Sequence, residues 1–272
     1  MAHTSPNETV AVEVTGALAT VTLNRPQSLN ALNADMVTAL VEVTAGIGAD
    51  DSIRAVVVTG AGGAFMAGGD LKWFATLVGD EPDKEKLRAG FERDIHDVHP
   101  IIVNLRRMPK PVIAAVAGPC AGFGVSLALA CDMVLAADDA IFTLAYCHIG
   151  TSPDGGSTFH LPRAVGLKRA FEIALLGDRL DAETARQAGM VNRVVPAAEL
   201  QAATAKLAGR LAAGPTHAYA NTKALLNASL DRNLAAQLDA EATGFADCAT
   251  TGDFAEGLAA FLEKRRPDFT GS

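Results

Sequence analysis

The sequence predicts an α/β fold that ends in a helical region. Short apolar runs such as AVVVTG (55–60) and PVIAAVAG (111–118) have the length and the β-branched content of buried strands. These runs alternate with segments whose apolar residues recur at helical spacing, whereas the chain from about residue 198 onward is amphipathic and free of strand signals. We therefore expect a core of strands and helices over residues 1–197 and a helical subdomain over residues 198–272.

The N-terminal region is predicted to form a hairpin and a helix. Apolar and polar residues alternate over residues 8–24, with a turn at Thr15 and Gly16. Residues 32–50 then place Met36, Leu40 and Val43 on one helix face.

Two glycine-bearing loops each join a predicted strand to a predicted helix. The first loop (residues 61–69) follows the strand at 55–60, and the second loop (residues 119–124) follows the strand at 111–118. The other central elements that we predict are helices at 71–78, 95–108 and 125–132, a polar surface loop at 79–90, and short strands at 133–139 and 140–146.

Composition and charge exclude several classes of protein. Hydrophobic residues make up 49% of the chain and charged residues 20%, the balance of a folded protein and not of a disordered one. A net charge of −8 argues against a nucleic-acid partner, which needs a concentrated basic face. No apolar stretch reaches the length of about 20 residues that spans a membrane, and no signal peptide is recognisable, so we expect a cytoplasmic protein.

The two glycine loops suggest either a pair of hydrogen-bond donors or two tight turns. A strand-to-helix turn leaves backbone N–H groups unsatisfied at the helix start, and two such groups that converge on one oxygen form an oxyanion hole. Other phosphate and nucleophile motifs are incomplete, because Leu127 breaks the dinucleotide fingerprint and Ala128 follows Ser126 where a nucleophile elbow needs glycine. His96 and His99 lack a nearby acidic cluster, so no metal site is expected.

Five stretches of the chain resemble the crotonase superfamily. They lie at residues 23–32, 63–74, 110–136, 161–170 and 256–269, in the order and spacing of that family. The resemblance implies a crotonase-like spiral of repeated ββα units with a helical C-terminal subdomain that mediates assembly into trimers or pairs of trimers. It also implies an acyl-CoA thioester substrate, with coenzyme A carried by the substrate and no separate cofactor.

The resemblance also assigns site residues. The oxyanion donors are the backbone N–H groups of Gly69 and Phe123. Further positions correspond to substrate and coenzyme contacts in relatives, namely Arg25, Ala67, Asp70, Leu71, Lys72, Phe261 and Lys264.

One departure from the family bears on the chemistry. Hydratases carry two glutamates at positions that align here with Ser126 and Tyr146, and these two side chains are poor substitutes for an acid and a base. Asp154 instead occupies the position of the catalytic carboxylate in single-acid members, such as Δ3,Δ2-enoyl-CoA isomerases and the ring-opening isomerase of phenylacetyl-CoA breakdown. We therefore predict an isomerase in which Asp154 moves a proton from C2 to C4, and Tyr146 shapes the substrate pocket.

Several alternatives stay open at this stage. The Pro-Asp-Gly-Gly sequence around Asp154 also suits a plain turn. Hydratase activity, or binding of acyl-CoA without catalysis, is compatible with the remaining motifs. The loop around Asp154 also resembles that of 4-chlorobenzoyl-CoA dehalogenases, although these carry a tryptophan where this chain has Tyr146.

Overall fold

The computed structural model describes residues 4–79 and 83–272, and within these ranges it contains nine strands and eleven α-helices. The strands are β1 (Val10–Thr15), β2 (Leu18–Leu23), β3 (Ala55–Gly60), β4 (Val112–Val116), β5 (Pro119–Ala121), β6 (Met133–Ala137), β7 (Ile141–Thr143), β8 (Leu180–Asp181) and β9 (Arg193–Val195). The helices are α1 (Ala34–Ala49), α2 (Leu71–Val78), α3 (Lys84–Arg107), α4 (Phe123–Ala130), α5 (Ser157–Val165), α6 (Leu167–Leu176), α7 (Ala182–Ala188), α8 (Leu200–Ala212), α9 (Thr216–Ala228), α10 (Leu234–Ala249) and α11 (Gly252–Glu263).

The strands form two sheets. The large sheet has the order β1-β2-β3-β4-β6-β9, antiparallel between β1 and β2 and parallel elsewhere, and the small sheet has the order β5-β7-β8. The chain alternates between them: β4 enters the large sheet and β5 the small one before α4 begins, and β6 and β7 repeat this before α5. The α/β fold class predicted from the sequence is confirmed.

The large sheet is buried on both faces, which explains the continuous apolar strands. In β3, Val56 and Val58 pack into a core shared with α1 and α3, while Val57 points to the opposite face. Successive strand residues point to opposite faces, so a strand covered on both sides needs apolar residues throughout.

The opposite face of the sheet is covered by α8. Leu207 and Leu211 of α8 lie in the same cluster as Val57, Ile113 and other strand residues. The first helix beyond residue 198 thus packs directly on the core, and the division of the chain at that residue remains a prediction.

The N-terminal hairpin is confirmed, with Thr15 paired with Leu18 and Gly16 in the left-handed region at φ 58°. The elements that the sequence did not suggest are the strands β5, β8 and β9 and the helices α5, α6 and α7. No helix in the described part of the chain combines the length and the apolarity that a membrane crossing requires.

The prediction of a polar loop over residues 79–90 is wrong for the second half of this range. Residues 84–90 form the start of α3, while residues 80–82 lie outside the described residues. Asp83 caps this helix by accepting hydrogen bonds from the amides of Glu85 and Lys86, and Arg88 pairs with Glu92 one turn on at 3.5 Å. Capping and charge pairing stabilise a polar helix end that apolar periodicity cannot detect.

A buried ion pair fastens α9 to the core. Lys223 donates its Nζ to Oδ2 of Asp132 at 2.8 Å, and it also reaches the carbonyls of Leu105 and Lys110 at 2.7 and 3.2 Å. Burial lowers the pKa of Lys223 and raises that of Asp132, and in each case the partner's charge opposes the shift. Neither group is stable in this position without the other.

We expect Lys223→Met to lower the free energy of unfolding by about 3–5 kcal/mol, because the buried Asp132 carboxylate loses its cationic partner and two carbonyls lose their donor. Chemical denaturation of the variant and the wild type measures this difference. The exposed Lys206→Met on α8 is the matched control, and it should change stability by no more than about 0.5 kcal/mol. Equal stability of the two variants would contradict the role assigned to Lys223.

Candidate active site

The first glycine loop is fixed by backbone hydrogen bonds to the segment before α1. The amide of Ala67 donates to the carbonyl of Leu29 at 2.9 Å, and the amide of Leu32 donates to the carbonyl of Gly68 at 2.7 Å. Asp70 completes the pairing by donating its amide to the carbonyl of Leu32 at 2.9 Å. The loop is therefore held in place by backbone pairing, like a strand at the edge of a sheet.

The second glycine loop is shorter than predicted, because Pro119–Ala121 pair as strand β5 and α4 begins at Phe123. The two loops are joined directly: Met66 bridges Cys120, and the amide of Ala121 donates to the carbonyl of Met66 at 2.8 Å.

Glycine is required where the loops touch. A Cβ atom added to Gly68 would lie 3.1 Å from the carbonyl oxygen of Ala121, and one added to Gly122 would lie 3.5 Å from Cα of Gly68. Both residues also have positive φ angles, 98° and 50°. A side chain at Gly68 would crowd the second loop, and at both positions the left-handed backbone conformation favours glycine.

The residues that follow these two glycines carry free amides. Among the described residues, the N–H groups of Gly69 and Phe123 have no hydrogen-bond acceptor. Phe123 is the first residue of α4, where a helix leaves its amides unsatisfied and concentrates positive potential. The arrangement can stabilise negative charge on one oxygen atom.

Asp154 lies beside this pair of amides. A Cβ atom on Gly155 would lie 2.7 Å from the ring of Phe123, so the segment is in direct contact with the start of α4. The backbone carbonyl of Asp154 accepts hydrogen bonds from the hydroxyls of Ser126 and Ser157 at 2.9 and 3.0 Å. These contacts hold the main chain of Asp154 in place and do not involve its carboxyl group.

The carboxyl group of Asp154 is bonded to Tyr146. The phenol donates to Oδ1 at 2.5 Å. Tyr146 follows Ala145, a non-glycine residue in the left-handed region at φ 40°, and such a conformation persists only where the surroundings enforce it. Ser126 and Tyr146, the two positions that align with hydratase glutamates, therefore both contact Asp154.

Burial is the main influence on the pKa of the Asp154 carboxyl group. It raises the pKa of Asp154 above its ordinary value, while the hydrogen bond from Tyr146 and the charge of His99 act in the opposite direction. Burial, together with the nearby carboxylate, also raises the pKa of Tyr146, so the phenol stays protonated and remains a donor. Asp154 is therefore a carboxylate of increased basicity with one oxygen occupied.

The predicted coenzyme contacts divide into two groups. Arg25 forms an ion pair with Asp70 at 3.0 Å, and Asp70 also caps α2 by accepting from the amide of Lys72 at 3.1 Å. Partial burial acts to raise the pKa of Asp70, but the hydrogen bonds from Arg25 and from the helix amides hold it below its usual value. The exposed residues Leu71 and Lys72 extend the same rim, together with the partly exposed Ala67.

The second group lies on α11. Phe261 is 80% exposed, and Lys264 ends the helix in the left-handed region. In the described ranges, no hydrogen bond, ion pair or ring contact joins either side chain to the glycine loops. The coenzyme-contacting role of these two residues remains a prediction.

Sequence reasoning missed three residues around the site. Phe74 and Phe91 form a ring pair next to the first loop, and His99 lies within electrostatic range of Asp154 although its side chain is exposed. Phe91 and His99 are eight residues apart on α3, beyond the three or four residues that separate neighbours on a helix surface, so no local pattern links them. In the part of the chain that the structure describes, no three His, Cys, Asp or Glu side chains form a group able to hold a metal ion.

We expect Gly155→Ala to lower both stability and activity. Gly155 has a φ of 58°, and the added Cβ would lie 2.7 Å from the Phe123 ring and 2.9 Å from Cβ of Ser126. Gly150→Ala is the matched control, because Gly150 has a similar φ of 70° but open space around it. Both variants carry a backbone cost of about 1–3 kcal/mol, and only Gly155→Ala adds a collision. Thermal unfolding of both proteins tests this, and equal losses would contradict it.

Comparison with known proteins agrees with this geometry. The sequence profile of the enoyl-CoA hydratase/isomerase family matches residues 13–272. A protein of Rhodobacter capsulatus named "Probable enoyl-CoA hydratase" is 40% identical over 264 residues, covering 97% of this chain and 98% of that protein. The 1,2-epoxyphenylacetyl-CoA isomerase of Escherichia coli K12 is 41% identical over 253 residues, covering 93% and 94%.

The fold comparison gives the same result. The crystal structure of an enoyl-CoA hydratase from Polaromonas sp. JS666 superposes with a TM-score of 0.88 at 35% identity, covering 96% of this chain and 99% of that one. The crotonase-like fold predicted from the sequence is thereby confirmed. The chain belongs to the enoyl-CoA hydratase/isomerase family of the crotonase superfamily.

Proposed function

We propose that the protein is an acyl-CoA isomerase that uses Asp154 as its proton shuttle. It converts a 3-enoyl-CoA to a 2-enoyl-CoA by shifting the double bond, or it opens the ring of an aryl-CoA epoxide. The observation that carries this proposal is the hydrogen bond between Tyr146 and Asp154, beside the free amides of Gly69 and Phe123. One carboxylate of increased basicity and two oxyanion donors are the groups that this reaction needs.

The proposed double-bond shift consists of two proton transfers. Asp154 removes a proton from C2 of the thioester, and the electron pair moves onto the carbonyl oxygen as an enolate. The amides of Gly69 and Phe123 stabilise this enolate, an effect worth about 10²–10³ in rate for each donor in comparable sites. Asp154 then returns the proton to C4, which leaves the double bond between C2 and C3 and regenerates the carboxylate. The reaction needs no cofactor apart from the coenzyme A of the substrate.

Hydration is the alternative, and the side chains around Asp154 argue against it. Adding water calls for one group that activates water and another that protonates carbon. Ser126 donates to the main chain of Asp154, and Tyr146 donates to its carboxylate. Neither hydroxyl is a base at neutral pH, since burial raises the pKa of Tyr146. A non-catalytic acyl-CoA-binding role is the other alternative, which activity measurements distinguish.

The rim beside the first glycine loop supports a coenzyme-binding role. We propose that Arg25, Ala67, Asp70, Leu71 and Lys72 contact coenzyme A. Arg25 and Asp70 fix the shape of the rim through their ion pair, and the exposed Lys72 is available to a phosphate.

The apolar surface of the C-terminal helices supports assembly into a homotrimer or a dimer of trimers. Phe245, Leu234 and Phe261 are exposed by 70%, 74% and 80% in a single chain. Large apolar side chains exposed to this extent are typical of a contact surface between subunits. Assembly is also a route by which Phe261 and Lys264 could reach the coenzyme site of a neighbouring subunit. The cytoplasmic location remains a prediction from the sequence.

We expect Asp154→Asn to reduce turnover by about 10²–10⁴, because the amide cannot accept the proton. The purified protein is offered a 3-enoyl-CoA, a 2-enoyl-CoA and an aryl-CoA epoxide, and binding of a saturated acyl-CoA is measured by calorimetry. The wild type should isomerise the first or the third compound, and the variant should bind with unchanged affinity. The exposed Asp178→Asn is the control. Efficient hydration of the 2-enoyl-CoA, or full activity of Asp154→Asn, would contradict the proposal.

We expect Tyr146→Phe to move the acidic limb of the pH profile of kcat/KM to higher pH by about one pH unit. The phenol stabilises the ionised form of Asp154, so its loss raises the pKa of that carboxyl group still further. Because only the carboxylate acts as a base, activity is lost at a higher pH as the solution is acidified. Tyr219→Phe, which changes the other tyrosine of the chain, is the control. An unchanged limb in Tyr146→Phe would exclude this role.

A further inference from the structure

Asn30 is a fully buried polar residue beside the first glycine loop. Its exposed fraction is 0%, and its backbone lies in the left-handed region at φ 57°, directly after Leu29 at φ 50°. Asparagine adopts this conformation more readily than most residues, because its short polar side chain can form local hydrogen bonds. Two consecutive left-handed residues place a sharp turn between β2 and α1. Neither the proton transfers nor the coenzyme contacts described above make use of Asn30.

The side chain of Asn30 bonds to the beginning of the first glycine loop. Its Nδ2 donates to the carbonyls of Ala61 and Ala64 at 2.9 and 2.8 Å, and its Oδ1 accepts from the amide of Arg25 at 2.9 Å. Both amide hydrogens and the amide oxygen therefore have partners, as a buried polar group requires. Because both donated bonds end on the loop, this side chain fixes the position at which the loop begins.

The backbone next to Asn30 bonds to the end of the same loop. Leu32 donates its amide to the carbonyl of Gly68 and accepts from the amide of Asp70, at 2.7 and 2.9 Å. These two bonds lie on either side of Gly69, whose own N–H has no acceptor among the described residues. The segment that contains Asn30 therefore holds both ends of the loop that carries the first donor.

Arg25 connects Asn30 to the donor by a second route. Its amide donates to the Asn30 side chain, and its carbonyl accepts from the Asn30 amide at 2.9 Å. Its guanidinium pairs with Asp70 at 3.0 Å, and Asp70 directly follows Gly69 in the chain. A displacement of Asn30 is therefore transmitted to Gly69 both through the loop and through the rim.

We infer that Asn30 is a positioning residue for the oxyanion hole, because its side-chain amide holds the first glycine loop in the shape that directs the N–H of Gly69 at the thioester carbonyl. Donors of this kind stabilise an enolate most effectively when they are already aligned, since they then need no reorientation during the reaction. The inference rests on the proposed oxyanion role of Gly69, and it adds the residue that keeps this donor aligned.

The test measures the polarisation of a bound thioester carbonyl without any turnover. Octanoyl-CoA with ¹³C at its carbonyl carbon lacks the reacting double bond, and isotope-edited infrared difference spectroscopy gives the frequency of its carbonyl stretch in the complex. Two variants remove the contacts in different ways. Asn30→Asp keeps the size and the acceptor but, as a carboxylate, has no hydrogen to donate, and Asn30→Gly keeps the left-handed backbone but loses the side chain.

We expect the wild type to shift the carbonyl stretch to lower frequency than in free octanoyl-CoA, because hydrogen bonds from two donors weaken the C=O bond. Each Asn30 variant should retain about half of this shift, because only the N–H of Phe123 stays aligned. Where isomerisation is measured, kcat should also fall by about 10- to 100-fold. A purely structural role for Asn30 would lower the thermal stability and leave the frequency of the bound carbonyl unchanged.

Asn104→Asp is the matched control for Asn30→Asp. Asn104 makes the same kind of bond between α3 and α1, with its Nδ2 donating to Oγ1 of Thr44 at 3.0 Å, and its replacement should leave the full carbonyl shift. Thermal unfolding and calorimetric titration with octanoyl-CoA verify that each variant folds and binds, and one Asn30 variant that does both suffices for the test.

Several results would overturn the inference. These are an unshifted carbonyl in the wild type, a full shift in a folded Asn30 variant, and an equal loss of the shift in Asn104→Asp. Failure of both Asn30 variants to fold or to bind would also overturn it, because Asn30 would then be required for the whole site and not for one donor. Since the spectra need no turnover, an absence of isomerisation would contradict the proposed function and leave the result on Asn30 decisive.

Discussion

The close contact between the two glycine loops is the constraint on which the rest of the site depends. Hydrogen bonds between Met66 and the β5 segment hold the loops together, and Gly68 and Gly122, where the two backbones approach, both adopt positive φ angles that favour glycine. Two amides can remain unsatisfied next to each other only if the surrounding backbone is fixed, because an unpaired buried N–H is costly. The alternating path between two sheets contributes to that rigidity, since the second loop runs from β4 of the large sheet into β5 of the small sheet, where Met66 of the first loop bridges Cys120.

The environment of Asp154 follows from this arrangement. Gly155 packs on the ring of Phe123, so the main chain next to Asp154 and the start of α4 are positioned by the same contact. Burial then makes the carboxylate more basic, while Tyr146 occupies one of its oxygens and limits the shift. A group that needs to take up and return a proton benefits from a raised pKa that is not raised so far that the group stays protonated.

The sequence predicted structural elements correctly where they depend on residues that are close together in the chain. It identified the buried strands from continuous apolar runs and both glycine loops from their place between strand and helix. It failed for residues 84–90, where a capping aspartate and charge pairs extend α3 without an apolar face, and it missed the small-sheet role of Pro119–Ala121. Strands of two or three residues carry too little pattern to be detected, and their pairing partners are distant in the chain.

The sequence by itself indicated the family, which the comparisons confirm, and the absence of the two hydratase glutamates, because these depend on which residue stands at a given place. The donor and base positions that it assigned remain predictions. Only the tertiary structure decided which groups the side chains at those two positions contact. Ser126, Tyr146 and Asp154 come from α4, a 3-10 turn and the loop before α5, and no local pattern predicts that their side chains meet. The same holds for Phe74 and Phe91, whose contact across α2 and α3 depends on helix packing and not on the spacing of residues in the chain.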